Sequence, residues 1–347
     1  MQTEERAPEL AVVICTNRGT ERLRNALQAL ERQSARQRLE VIVVDDGAPE
    51  PLGPLCREFR ARLRAHPANL GLAAARNTGW RAASAPIVAF TDDDCRPGRD
   101  WAEVLIRAYD DASVVAAGGG ISACGTGGLL ARYYGLRPPI APLEAELAGS
   151  ASLPRRLQLY LMANARGRAK TGRREVLSLA GASMSVRRSA LELVGGFDSG
   201  IRFGGEDEDF FYRLRREVPR AKLIFDPAAD TEHDFTGGTA DMLRRARSYG
   251  RGNARNFVKH PAWGPTVFPV PVACFALVAA GAHRSRWLVA GAVLPAVAFP
   301  SWTVEALKRK NASVALLAWL QLLEEAASNA GFAGGYVRAR RELRAAP

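Results

Sequence analysis

The sequence predicts an α/β protein over residues 1–235, a mostly parallel central sheet with helices on both faces, followed over residues 236–347 by a mainly helical, apolar and basic region. Three observations carry that prediction. Short β-branched runs alternate with helix-like segments through the first two thirds of the chain. Several of these runs end abruptly in polar or acidic residues, most sharply where Ile87, Val88, Ala89 and Phe90 give way to Thr91 and three carboxylates, Asp92, Asp93 and Asp94. The last third changes character: it holds 15 Lys and Arg against 5 Asp and Glu, set between long uncharged runs.

In chain order, residues 10–15 (LAVVIC) read as a strand closed by Thr16, Asn17, Arg18 and Gly19, a turn-forming set. Residues 20–33 follow as a helix, with Leu23, Ala26, Leu27 and Leu30 at helical spacing. Residues 41–44 (VIVV) form a second strand ending in Asp45, Asp46 and Gly47, which completes a strand–helix–strand unit. Residues 54–63 are expected to be helical, 69–71 to turn, and 72–83 to form an Ala-rich helix carrying Arg76 and Asn77 into the strand at Ile87. Open parallel sheets bind ligands beyond the carboxyl ends of their strands, so the polar strand ends should converge on one site. No G-x-G-x-x-G follows the first strand and no G-x-x-x-x-G-K-[ST] occurs, which removes the main signals for a dinucleotide fold or a P-loop.

Residues 113–123 are Gly-rich, apolar and expected to be a strand. Residues 125–174 are irregular, with Pro138, Pro139, Pro142 and Pro154 among basic residues; they read either as a lid over an acceptor or as a solvated surface excursion. Order returns at 179–187 and 190–194. Gly204 and Gly205 then precede Glu206, Asp207, Glu208 and Asp209, which open a helix. Acids at that position are favoured by the helix dipole alone, while the glycine pair is also suited to close approach of a ligand. A strand at 222–225 is followed by His233, which taken alone reads as a surface histidine.

Three adjacent acids repel one another, and they are tolerable at a sheet rim when solvated or when neutralised by a hard divalent cation such as Mg2+ or Mn2+ bridging to a diphosphate. A second carboxylate cluster beside such a site offers a base for an attacking hydroxyl. The five cysteines form an odd set without metal-ligand spacing and read as reduced thiols. The N-terminus has no secretory pattern, so the catalytic part is expected to face the cytoplasm. Apolar runs, not exposed aromatics, separate the basic residues of the tail, which favours a membrane surface and argues against a nucleic-acid partner.

The motifs VVICTNRG, VIVVDDG, NLGLAAARNTG, FTDDD, GASMSVRRSALELVGGFD and GGEDEDFFYRLR, in this order, resemble the family 2 glycosyltransferases of the GT-A fold, a Rossmann-like architecture, over residues 10 to about 235. The resemblance implies a metal-dependent, inverting transfer from a nucleotide-diphosphate sugar. It implies that Thr16, Asn17 and Asp46 contact the base and ribose and that Arg76 and Asn77 lie near the nucleotide. Asp92 and Asp94 become the Asp-x-Asp pair around Asp93, with Asp94 the more direct metal ligand, and His233 a residue on the metal or diphosphate. Asp207 matches the catalytic base, with Glu206 as its neighbour. Two features depart from the family pattern: the first turn lacks an aromatic residue, leaving the nucleobase open, and no Q-x-x-R-W follows the acidic motif, favouring single addition over processive synthesis.

In the last third, residues 262–282 and 287–304 contain no Asp, Glu, Lys or Arg, and their lengths of 21 and 18 approach what a hydrocarbon core of roughly 30 Å needs. Proline interrupts both. They read as a hairpin or re-entrant pair with both ends in the cytoplasm, or as apolar core helices or a dimer interface of a soluble subdomain. Residues 313–327 and 338–344 are expected to be an amphipathic helix and a basic end suited to anionic lipid. The expectation is an enzyme on the cytoplasmic face of the cell membrane, peripheral or hairpin-anchored, acting on a lipid-linked or cell-envelope glycan. The alternatives are a cytoplasmic transferase for a peptide or small molecule, and a non-catalytic nucleotide-sugar-binding scaffold.

Overall fold

Strand β1 (Leu10–Thr16) is buried along nearly its whole length, and its alternation sorts the core. Leu10, Val12 and Ile14 join one cluster with Leu23, Leu27 and Leu30 of the helix Thr20–Glu31 and with Trp101 and Leu105 of the helix Trp101–Ala108. Ala11 and Val13 join another with Ala73, Ala75 and Trp80 of the helix Leu72–Ala82 and with Phe210 and Phe211 of the helix Glu206–Glu217. Two-residue periodicity thus gives β1 a buried face on each side, as a sheet covered by helices on both faces requires. The computed structural model describes residues 7–124, 128–137, 147, 149, 152–166, 172–201, 204–235, 237–260, 262–281 and 284–345. The chain divides into two units, one of Met1–Pro142 with Lys170–Phe235, the other of Leu143–Ala169 with Thr236–Pro347.

In the first unit the remaining strands are β2 (Leu39–Asp45), β3 (Arg62–Ala65), β4 (Ile87–Asp92), β5 (Cys95–Pro97), β6 (Val114–Ala123), β7 (Arg174–Glu175), β8 (Met184–Arg187) and β9 (Lys222–His233). Their order is β3-β2-β1-β4-β8-β6-β9-β5, with β7 also paired to β9. The sheet is parallel from β3 to β4 and becomes mixed beyond, where β8 runs antiparallel between β4 and β6. The helix expected over 54–63 is shorter, Gly53–Glu58, because the chain turns into the mostly exposed edge strand β3. The strand expected to end at 225 continues through Asp226 and Pro227 to His233, pairing with β6 and then β5. At the irregularity between Gly119 and Ile121, a Cβ on Gly119 would fall 1.6 Å from the Ala229 carbonyl oxygen, which accounts for glycine there.

Within the stretch expected to be irregular, the helices Leu129–Leu136 and Leu153–Arg166 form, and Pro138, Pro139 and Pro142 lie outside the described residues. The second of these helices belongs to the second unit, where Tyr160 and Asn164 enter a buried polar network. Tyr160 donates to Glu325 at 2.6 Å, and Gln321 donates to Asn164 and Glu325 at 2.7 and 2.8 Å while accepting from Trp302 at 2.8 Å. The segments 313–327 and 338–344 fall largely in a single helix, Leu317–Ala345, packed along the helix Thr239–Lys259. The apolar runs become three shorter helices, Pro269–Ala280, Arg286–Ala298 and Pro300–Lys308, the last two bent by 63°. Among the described residues no single helix is long and apolar enough to cross a membrane, although that bent pair could by length and composition.

Candidate active site

Register builds the site. Thr16 pairs with Asp45 across β1 and β2, and Cys15 pairs with Asp92 across β1 and β4, so three polar strand ends lie side by side at one rim. On the far side of the sheet β5 pairs antiparallel with β9, setting Cys95 opposite His233 immediately after the three acids. Asp92, Asp94, Cys95 and His233 each present a ligand atom, all within 4.8 Å of one another. Nε2 of His233 lies 3.4 Å from Asp94 Oδ1, while its Nδ1 is buried without a hydrogen-bond partner and its ring stacks on Phe235. Arg22 supplies Asp94 with a guanidinium at 3.3 Å. Two carboxylates and an imidazole form a donor set that suits a hard or borderline divalent cation.

The three acids have different environments. Thr16 donates its hydroxyl hydrogen to Asp93, whose carboxyl is pushed up to about 6 by burial and by its acidic neighbours, against the pull of that hydrogen bond. Burial also raises the Asp92 carboxyl, and Arg76 at 3.6 Å opposes the shift. Asp94 remains in contact with Arg22 and His233.

Arg76 joins this rim to the second acidic cluster. It is 3 % exposed, and Nη1 donates to Glu206 Oε1 at 2.6 Å while Nη2 faces Asp92. Burial works against its charge, but Glu206, Asp92 and Asp207 together hold it firmly protonated. Burial pushes the Glu206 carboxyl up to about 7 despite Arg76, and its Oε2 has no hydrogen-bond partner. A Cβ on Gly181 would sit 2.2 Å from Arg76 Nη2, so the absent side chain makes room for the guanidinium. The same glycine donates its backbone N–H to Asp207 Oδ2 at 3.0 Å, and Glu208 N donates to Asp207 Oδ1 at 2.9 Å. Asp207 is half-buried, whereas Glu206, Glu208 and Asp209 are buried. Asp209 meets Arg213 one turn on, at 2.8 Å.

The structure therefore brings together Thr16, Arg76, Asp92, Asp93, Asp94, Glu206, Asp207 and His233, with Asn17 on the exposed turn beyond Thr16. Asp46 and Asn77 lie inward, with their polar atoms engaged by their own chain. Asp46 accepts from Leu70 N and Gly71 N at 2.8 and 2.9 Å and meets His66 Nδ1 at 2.8 Å. Asn77 donates to the Phe197 carbonyl at 2.7 Å and accepts from Phe197 N and Trp80 Nε1, both at 2.9 Å. Both act as braces, for the turn before the helix Leu72–Ala82 and for the loop after Gly196. Sequence reasoning missed Cys95 and Arg22. Cys95 carried a signal, since it directly follows the acids; Arg22 carried none beyond a charge on a helix.

The mixed sheet, helices on both faces and an acidic rim closed by an Arg–Glu bridge define a GT-A type of glycosyltransferase scaffold. The chain belongs to glycosyl transferase family 2, whose sequence pattern it matches over residues 11–192. It is 32 % identical over 247 residues to the pre-mycofactocin glycosyltransferase of Mycobacterium tuberculosis, an alignment covering 69 % of this chain and 47 % of that protein. It is 29 % identical over 120 residues to the glycosyltransferase AglE of Haloferax volcanii, covering 33 % and 40 % of the two chains. The chain thus spans about half the length, or less, of these relatives. Its fold is similar to that of the mannosyltransferase PcManGT from Pyrobaculum calidifontis, solved with GDP-Man and Mn2+, with a TM-score of 0.55, 19 % identity, and coverage of 97 % and 88 %.

Proposed function

We propose that this protein transfers a sugar from a nucleoside-diphosphate sugar to an acceptor hydroxyl, once per encounter and with inversion, using a divalent cation held by Asp92, Asp94 and His233. The observation that carries the reading is the convergence of those side chains within 4.8 Å at the rim where the parallel strands β1 and β4 end. A bound cation would supply Lewis-acid neutralisation of the departing diphosphate. Arg76 holds Asp92 and Glu206 in a fixed relation. The backbone N–H groups of Gly181 and Glu208 fix the Asp207 carboxylate, which takes the acceptor's proton as that oxygen bonds to the anomeric carbon and the bond to diphosphate breaks. Thr16 and Asn17 border the donor side, and Asp46 and Asn77 shape it from behind.

The acceptor we favour is a lipid-linked or cell-envelope glycan at the cytoplasmic face of the membrane, a reading supported by the basic, apolar second unit. The alternative acceptor class is a peptide or small molecule, and the name of the Mycobacterium tuberculosis relative makes pre-mycofactocin a compound to assay. The test pairs binding with turnover. UDP-, GDP- and dTDP-sugars are titrated with and without Mn2+, and hydrolysis or transfer is followed for wild type and Asp207→Asn. The expected result is cation-dependent binding of one nucleotide, retained by Asp207→Asn, with turnover about 10²–10⁴-fold lower. Loss of binding in Asp207→Asn would make this residue structural, and no binding of any donor by folded protein would support the non-catalytic alternative.

A further inference from the structure

The three short helices of the second unit bury one side and expose another that carries almost no polar group. In Pro269–Ala280, Val270, Pro271 and Cys274 are buried, while Val272, Val278 and Phe275, the last 78 % exposed, face outward. In Arg286–Ala298, Gly291 and Pro295 are buried and Val289, Val293 and Val297 are exposed. Pro300–Lys308 adds Val304 and the 74 % exposed Leu307. A helix facing water ordinarily carries charge on its outer side. Here no Asp, Glu, Lys or Arg lies between Lys259 and Arg284, or between Arg286 and Glu305.

We propose that this face docks flat on an anionic lipid bilayer, entering the interface without crossing it. The proposal deepens, and rests on, the membrane-associated reading given above. Charge complementarity selects the occupant: Arg284 and Arg286 flank the turn between the first two helices and Lys308, Arg309 and Lys310 close and follow the third, all five exposed. Glu305, paired with Arg309 at 2.8 Å and with Lys308 at 3.8 Å, offsets only one of these charges. The Arg286 guanidinium stands 5.2 Å over the ring of Trp287, which pairs an amphipathic ring with a cation where headgroups meet acyl chains. A symmetric contact with a second copy would bring two positive rims together, which lipid phosphates would not. The same arginines set the orientation. Inserting tip-first would carry Arg284 and Arg286, at the turn between the first two helices, into hydrocarbon, whereas lying in the plane leaves them among headgroups. No single described helix is long and apolar enough to span.

The test is flotation of the full chain with phosphatidylcholine vesicles, with and without phosphatidylglycerol, in the absence of donor and acceptor. The wild-type protein should float with the anionic vesicles. Phe275→Ser/Val289→Ser, altered only at exposed positions, should partition at least about tenfold less while keeping its circular dichroism spectrum and melting temperature. Arg284→Gln/Arg286→Gln should lose the preference for phosphatidylglycerol. In Ser285→Cys, the new thiol should react with an impermeant maleimide added outside the vesicles. Equal flotation of all variants would overturn the proposal. So would protection of that thiol, which would place the turn across the bilayer, or a wild-type dimer in solution abolished by Phe275→Ser. None of these readouts requires transfer, so failure here is distinct from failure of the donor and Asp207→Asn experiments.

Discussion

Arg76→Met tests the central electrostatic link, because methionine keeps much of the side-chain volume and removes the charge. In the wild-type protein the guanidinium lies 2.6 Å from Glu206 and 3.6 Å from Asp92, with both Arg76 and Glu206 almost wholly enclosed. Removing one partner of a buried pair costs about 3–5 kcal/mol when the other must stay charged. Glu206 can escape part of that cost by taking up a proton, which gives the effect a pH signature. Its folded value of about 7 already stands above the ordinary 4.5, so its ionisation weakens the folded state as pH rises between those values, by about 3 kcal/mol in all. Above pH 7 the wild-type contribution flattens. Without Arg76 the Glu206 value climbs further, so the variant should keep losing stability at up to about 1.4 kcal/mol per pH unit. The measurement is urea unfolding at pH 6 and pH 8.5 in the presence of a chelator, with hydrogen exchange at Val12 and Val88 to read the first unit separately. The variant should be moderately weakened at pH 6 and about 2–3 kcal/mol worse at pH 8.5. A pH-independent difference, or one below about 1 kcal/mol at pH 8.5, would show that Glu206 is not held as a buried partner of Arg76.

Two further substitutions probe the same site. In Gly181→Ala the new Cβ meets a guanidinium that Glu206 prevents from swinging away, so melting should fall by several degrees, corresponding to about 1–3 kcal/mol, and turnover should fall with it; an unchanged melting temperature would contradict the close approach. His233→Ala should weaken Mn2+ binding at least about tenfold in calorimetry while leaving the fold intact, because the side chain is an extra donor at a site whose carboxylates remain; unchanged Mn2+ affinity would place the cation elsewhere.

What could be read from the sequence was whatever depended on local pattern. β1, β2 and β4 were visible because their buried residues form unbroken β-branched or apolar runs, and the helices Thr20–Glu31 and Leu72–Ala82 because alanine and leucine recur at helical spacing. β3 was hidden because three of its four residues, Arg62, Arg64 and Ala65, are exposed at a sheet edge and show no apolar alternation. The end of β9 was hidden because Asp226 and Pro227 interrupt a strand that is stabilised by pairing with β6 and β5 and not by its own propensity. At the site, the acids were legible as a motif, but their division of labour was not. That Asp207 is half-buried while Glu206 sits against Arg76, 130 residues away, is a tertiary fact. The same holds for Asn77 and Asp46, whose place near a nucleotide is what the family resemblance implies and whose bonds to Phe197, Leu70 and Gly71 no local pattern shows.

The long helix pair of the second unit has a consequence for anyone shortening or extending the chain. A Cβ on Gly250 would lie 2.0 Å from the Ser328 carbonyl oxygen, one on Gly331 2.0 Å from that of Arg247, and one on Gly335 2.7 Å from the Arg251 Cα. The two backbones touch at three points, residues 328, 331 and 335 of one helix against residues 250, 247 and 251 of the other, and the third contact lies only ten residues before the helix ends at Ala345. A fusion appended after that end leaves the zipper closed. A truncation before Gly331 removes two of its three teeth, and the backbone of the helix Thr239–Lys259 at Arg247 and Arg251 loses the glycines that pack against it.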